Sequence, residues 1–172
     1  MLAWEWSRYW DLSRPLLLEK SPPNMLKMRF LQALFPRARF VVVVRHPLAV
    51  TAATLKWRTR LERPLSPPRL LEHWLRCHEL LLEDQPHIHQ LRIVRYEDYV
   101  AAPERELTAL FSFLGRAPAA LARDVPAGLN SAYFEQWSEL RARPLYGSWL
   151  ARISDKLEPR VQRLGYSLLE PA

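Results

Sequence analysis

The stretch Phe40-Val-Val-Val-Val-Arg-His-Pro47 decides how the rest of the chain is read. A phenylalanine and four consecutive valines, with no polar alternation, predict a parallel strand buried on both faces. Arg45 ends the strand and His46-Pro47 opens a helix, since proline suits the first helical turn. The same pattern occurs just upstream. Leu16-Leu-Leu18 is a short apolar run read as a strand, Glu19-Lys20 follows it, and Ser21-Pro-Pro-Asn24 turns into a helix with Met28, Leu31, Leu34 and Phe35 on one stripe. Two successive strand–turn–helix units, each with a cation just past the strand, predict an open parallel sheet whose carboxyl edge binds a small anion.

Moving outward, residues 1–14 carry Trp4, Trp6, Tyr9 and Trp10 at loose helical spacing, an opening helix packed by its aromatics. The helix begun at Pro47 runs to about Arg60, and the proline-rich residues 61–68 form a loop. Leu70, Leu71, Trp74, Leu75, His78, Leu81 and Leu82 mark an amphipathic helix that Asp84-Gln-Pro86 ends. Leu91-Arg-Ile-Val94 is a further short strand. A helix from Pro103, with Leu107, Leu110, Phe111 and Leu114 on one face, is closed by Gly115. Shorter helices are expected near 118–123 and 132–142, and a terminal one near 155–164. This alternation predicts an α/β fold, a three-layer parallel sheet flanked by helices, in one domain over residues 1–172.

Composition narrows the function classes. Of 172 residues, 49% are hydrophobic and 25% charged, the balance of a globular protein with a real core. No apolar run reaches membrane-span length, no signal peptide is visible, and the single Cys77 excludes an internal disulfide, so a cytoplasmic location is expected. The net charge of +7 has two readings, a genome-wide arginine bias and an acidic partner. The arginines are scattered without a basic stripe or aromatic–basic module, which argues against nucleic acid. His73 and His78, and His87 and His89, have no partnering carboxylates at ligand spacing, so no metal site is expected. With four glycines the chain has no Gly-rich phosphate cradle, and kinase, dinucleotide-oxidoreductase and α/β-hydrolase readings lose their main support.

Lys20, stiffened by the Pro-Pro turn, is a candidate to offset charge on a transferring group; its plain alternative is a solvated loop lysine. Arg45 sits at a strand end beside a helix N-terminus, where backbone N–H groups favour anions, and a guanidinium there suits a bidentate phosphate. Thr51 and Thr54 on the first turns of that helix offer hydroxyl donors, or are ordinary helix positions. His46 is a turn residue beside Arg45, with a supporting role as the alternative. Cys77 has no His/Asn constellation beside it and is not a nucleophile.

Several segments, in order, resemble the sulfotransferases that use 3′-phosphoadenosine 5′-phosphosulfate (PAPS). They are Leu18-Glu-Lys-Ser-Pro-Pro-Asn24, Leu31-Gln-Ala-Leu-Phe-Pro36, Ala38-Arg-Phe-Val-Val-Val-Val-Arg-His-Pro47, Val94-Arg-Tyr-Glu-Asp98, Phe111-Ser-Phe-Leu-Gly115 and Arg163-Leu-Gly-Tyr-Ser167. The resemblance implies a P-loop-NTPase-like sheet, PAPS as co-substrate without a metal, and sulfuryl transfer to a hydroxyl or amine of a small molecule, saccharide or peptide. Arg45 would bind the 3′-phosphate, Tyr96 would lie near the adenine, and Lys20 near the sulfuryl group or the acceptor. Glu19 would be a base beside Lys20, although strand alternation points the two apart. The family's serine eight residues after the arginine is Ala53 here, so either Thr54 substitutes or one phosphate contact is missing. The family's first strand and its Lys/Arg-Ser-Gly-Thr loop are not found in residues 1–15, so the chain reads as a partial, N-terminally truncated domain. An inactive relative that binds an anion, nucleotide or protein partner is the alternative. Tyr133, Trp137, Tyr146 and Trp149 either line an acceptor pocket or pack the last helices.

Overall fold

The computed structural model describes residues 2–56, 66–119 and 128–170. Helix α1 (Leu2–Ser7) leads into an irregular stretch and a 3-10 turn over Pro22–Lys27, then α2 (Met28–Leu34) and strand β1 (Phe40–Val44). After β1 come α3 (Pro47–Lys56), α4 (Pro67–Asp84) and strand β2 (Leu91–Arg95), then α5 (Tyr96–Ala101), α6 (Pro103–Phe113), α7 (Leu129–Arg141) and α8 (Tyr146–Gln162). The fold is mixed α/β, mostly helical, around a small parallel sheet. The helix expected near 118–123 and the loop at 61–68 fall largely outside the described residues.

Strands β1 and β2 pair in parallel, Phe40 opposite Leu91 and Val44 opposite Arg95, so both strands end level, each beside an arginine. Val42 and Val44 point into a core with Met28, Leu81 and Ile88. The expectation that β1 is buried on both faces is corrected. Val42 and Val44 are 6% and 7% exposed, whereas Val41 and Val43 are 37% and 63% exposed. Helix α6 covers the β2 side of that second face, where Glu106 pairs with Arg92 at 3.3 Å. On the β1 side Val43 is the more exposed of the two valines.

The strand expected at Leu16–Leu18 is also corrected. Leu16 and Leu18 are 47% and 79% exposed, and the segment joins no ladder. Three apolar residues without a partner strand leave their backbone groups to other donors. The Trp10 indole N–H donates to the Leu18 carbonyl at 3.1 Å, and Arg116 donates to the Pro15 carbonyl at 2.9 Å. Trp6 stacks on Phe35 at 5.5 Å and Trp10 meets both rings edge-on, so the opening aromatics dock on the end of α2.

A larger core joins α3, α4, α7 and α8 through Leu48, Trp74, Leu75, Trp137, Leu150 and Val161. Across α4 and α8, Arg160 pairs with Glu72 at 2.7 Å and Glu79 at 2.8 Å. Helices α7 and α8 meet where Gly147 lies against the backbone of Arg141. A Cβ at 147 would fall on the Arg141 carbonyl oxygen, so only glycine permits this approach.

Candidate active site

The two strand-end arginines have different surroundings. Arg95 donates to the Gly165 carbonyl at 3.0 Å and lies 4.4 Å over the Tyr166 ring. Arg45 is half-buried and held on three sides. Its Nε donates to Asn130 Oδ1 at 2.9 Å, its guanidinium carbon lies 4.1 Å from the centroid of Tyr96, and Tyr133 stands at 5.3 Å. Its Nη2 is buried without a hydrogen-bond partner among the described residues. With Nε occupied, aromatic rings against the guanidinium and Nη2 enclosed, the Nη edge is the part of Arg45 without a protein acceptor among the described residues. That edge matches two oxygens of a phosphate, sulfate or carboxylate. The strand end itself is fixed by the Trp74 indole, which donates to the Arg45 carbonyl at 3.1 Å.

Helix α7 supplies Asn130 and Tyr133 from positions three apart on one helical face. Lys56, at the end of α3, places its ammonium 4.5 Å from the centroid of Tyr133, so a second cation borders the same ring. Sequence reasoning did not single out Asn130 or Lys56. Their only local signal was the Asn130/Tyr133 spacing on an otherwise ordinary helix.

Behind Arg45 sits Glu97. One of its carboxylate oxygens accepts the His46 backbone N–H at 2.9 Å and Asn130 Nδ2 at 2.8 Å, and the other accepts the Tyr166 hydroxyl at 3.0 Å. Burial alone would push the Glu97 pKa up, but these donors outweigh it and hold the carboxyl below its usual range. The Tyr166 phenol is pushed up by burial and by the Glu97 charge. His46, 1% exposed, accepts the Leu48 N–H on Nδ1 at 3.2 Å and bonds the Ser167 carbonyl through Nε2 at 3.0 Å. It caps α3 as a neutral imidazole, and burial lowers its pKa to about 4.

The remaining expected residues are placed as follows. Tyr96 stacks on Arg45. Thr54 donates its hydroxyl to the Val50 carbonyl at 2.7 Å, which engages its proton within its own helix. Thr51 is fully buried, with a hydroxyl that has no partner among the described residues. Glu19 and Lys20 are exposed, and Glu19 accepts Asn24 Nδ2 at 3.0 Å. Among the described residues no hydrogen bond or ion pair joins either of them to Arg45. Trp137 is a core residue, whereas Tyr146 and Trp149 pack on each other at 5.4 Å near the surface. The described residues contain no group of three or more His, Cys, Asp or Glu side chains able to hold a metal. None of their helices is long and apolar enough to cross a membrane.

A parallel pair of strands followed by helices, with a half-buried arginine directly after the first strand, defines an α/β protein. The chain belongs to the sulfotransferase family, whose model matches residues 2–119. Among solved structures, a sulfotransferase domain from the curacin biosynthetic pathway is similar in fold, with a TM-score of 0.57 at 20% identity. The alignment covers 91% of this chain and 66% of that one, so the chain spans just under two thirds of that domain's length. No curated protein matches the chain.

Proposed function

We propose that this chain forms the nucleotide side of a PAPS-dependent sulfotransferase, with Arg45 binding the 3′-phosphate of the donor. The observation that supports it is the buried, unpartnered Nη2 of Arg45 beside a parallel strand end, whose counterpart Arg95 already has a protein acceptor. Tyr96 walls the guanidinium and offers its remaining surface to the adenine. Lys56 adds a second positive charge near the same ring, in a helix where Ala53 has no hydroxyl to offer. The three-layer P-loop-like sheet belongs to this reading; parallel pairing and flanking helices support it.

In the reaction, a bond forms from the acceptor oxygen or nitrogen to sulfur as the bond from sulfur to the 5′-phosphate oxygen breaks, and the acceptor proton passes to a base. Glu19 is the proposed base. Lys20 offsets charge on the sulfuryl oxygens, as cations do in phosphoryl transfer. The acceptor is a small molecule, saccharide or peptide bearing a hydroxyl or amine.

Titration calorimetry with adenosine 3′,5′-bisphosphate tests the nucleotide assignment. Arg45→Ala is expected to weaken binding about tenfold to a hundredfold, the range for a charge-assisted pair. Equal affinity of the two proteins would sink it. Binding without transfer is the second reading, favoured by the exposure of Glu19 and Lys20 and their lack of contact with the Arg45 cluster. Transfer of labelled sulfate from PAPS to mixed acceptors by this chain alone would exclude it.

A further inference from the structure

We infer that Asn130 and Glu97 are positioning residues that set Arg45 for its anion, a role that rests on the reading of Arg45 as the phosphate ligand. A guanidinium on a flexible stem binds an oxyanion side-on through Nε and one Nη, or end-on through both Nη atoms. Asn130 decides between them by taking Nε, through the 2.9 Å bond from Arg45 to its Oδ1. An asparagine amide is free to flip, which would set its Nδ2 donors against the guanidinium. Glu97 prevents the flip by accepting Nδ2 at 2.8 Å, so the amide oxygen faces Arg45.

Glu97 is itself fixed. The same carboxylate oxygen that holds Asn130 accepts the His46 N–H, directly after Arg45 in the chain, and its partner oxygen accepts the Tyr166 hydroxyl. The relay therefore references the guanidinium to its own backbone through one residue from α5 and one from α7. It also leaves the charge balance favourable. The carboxylate reaches Arg45 only through a neutral amide, so the guanidinium is oriented without being neutralised, and its Nη edge keeps its positive charge for the ligand. A direct carboxylate on Nε would orient it equally well and weaken its hold on an anion.

The test is a double-mutant cycle with adenosine 3′,5′-bisphosphate and adenosine 5′-monophosphate, the second lacking the 3′-phosphate. Asn130→Ala is expected to weaken the bisphosphate about tenfold and leave the monophosphate within about twofold, with no further loss when added to Arg45→Ala. Asn130→Asp, which restores an acceptor but adds charge, is expected to weaken the bisphosphate at least as much. Independent of any nucleotide, the Arg45 Nε–H resonance in NMR spectra should be shifted or broadened by Asn130→Ala and by Glu97→Gln. Bisphosphate affinity unchanged in Asn130→Ala, or equal loss for both nucleotides that persists without Arg45, overturns the positioning role while leaving Arg45 as ligand. Unchanged affinity in Arg45→Ala, or no binding by the wild-type chain, overturns the reading on which the inference rests.

Discussion

His46 illustrates how the residues around the site are used. An imidazole buried against Phe134 and Tyr166, with Nδ1 accepting from the backbone, has no room for a second proton. Its folded pKa of about 4 lies below its unfolded value of 6.5, so the unfolded chain binds the extra proton first. The stabilisation is fully present above about pH 6.5 and is lost as the pH falls towards 4, by about 3 kcal/mol at most. His78, stacked on Trp74 and also lowered by burial, acts with the same sign. Urea unfolding at several pH values, compared with His46→Asn, isolates the His46 share because asparagine keeps a capping oxygen but does not titrate in this range. The wild type should lose more stability over that window than the variant, and parallel curves would refute the assignment. The places of Arg45 and Tyr96, directly after β1 and β2, were legible because strand ends are local properties of the sequence. Asn130 was not, since it lies 85 residues from the arginine it orients and only the folded chain brings the two together.

At the scale of elements, β1 shows where pattern reading holds and where it stops. An unbroken valine run correctly marked a strand at Phe40–Val44, and the 3.6-residue period of the leucines correctly marked α4. Burial of a sheet's second face depends on what packs there, which the strand's own residues do not encode. Leu16–Leu18 failed for a related reason: strand formation needs a neighbour to accept its hydrogen bonds, and three leucines resemble a strand whether or not one exists. The half-covered sheet predicts unequal substitution costs at adjacent valines. Val44→Ala, in the core with Met28 and Leu81, should cost about 2 kcal/mol, whereas Val43→Ser should stay within about 0.5 kcal/mol. Denaturant unfolding of both variants checks this; a large loss at Val43 would mean that its face is covered in solution.

Across the whole molecule, the proposed site draws on the ends of two strands and on α7, a helix that belongs to the larger core rather than to the sheet. Trp137 in its middle anchors α7, and Arg141 at its far end rests against Gly147 of α8. From Arg141 back to Asn130 is roughly 16 Å of helix at 1.5 Å per residue. Helix α7 is thus a lever with its load at one end and its stop at the other. A single methyl group at position 147 would push on the stop, and a rigid helix passes that push along its length. Gly147→Ala is therefore expected to cost about 1–3 kcal/mol of stability and also to weaken adenosine 3′,5′-bisphosphate binding. Calorimetry and unfolding on the same sample would show both losses together, and unchanged stability would argue against the contact. By this account, one of the most sensitive positions for ligand affinity is a residue with no side chain, at the opposite end of the helix from the arginine it serves.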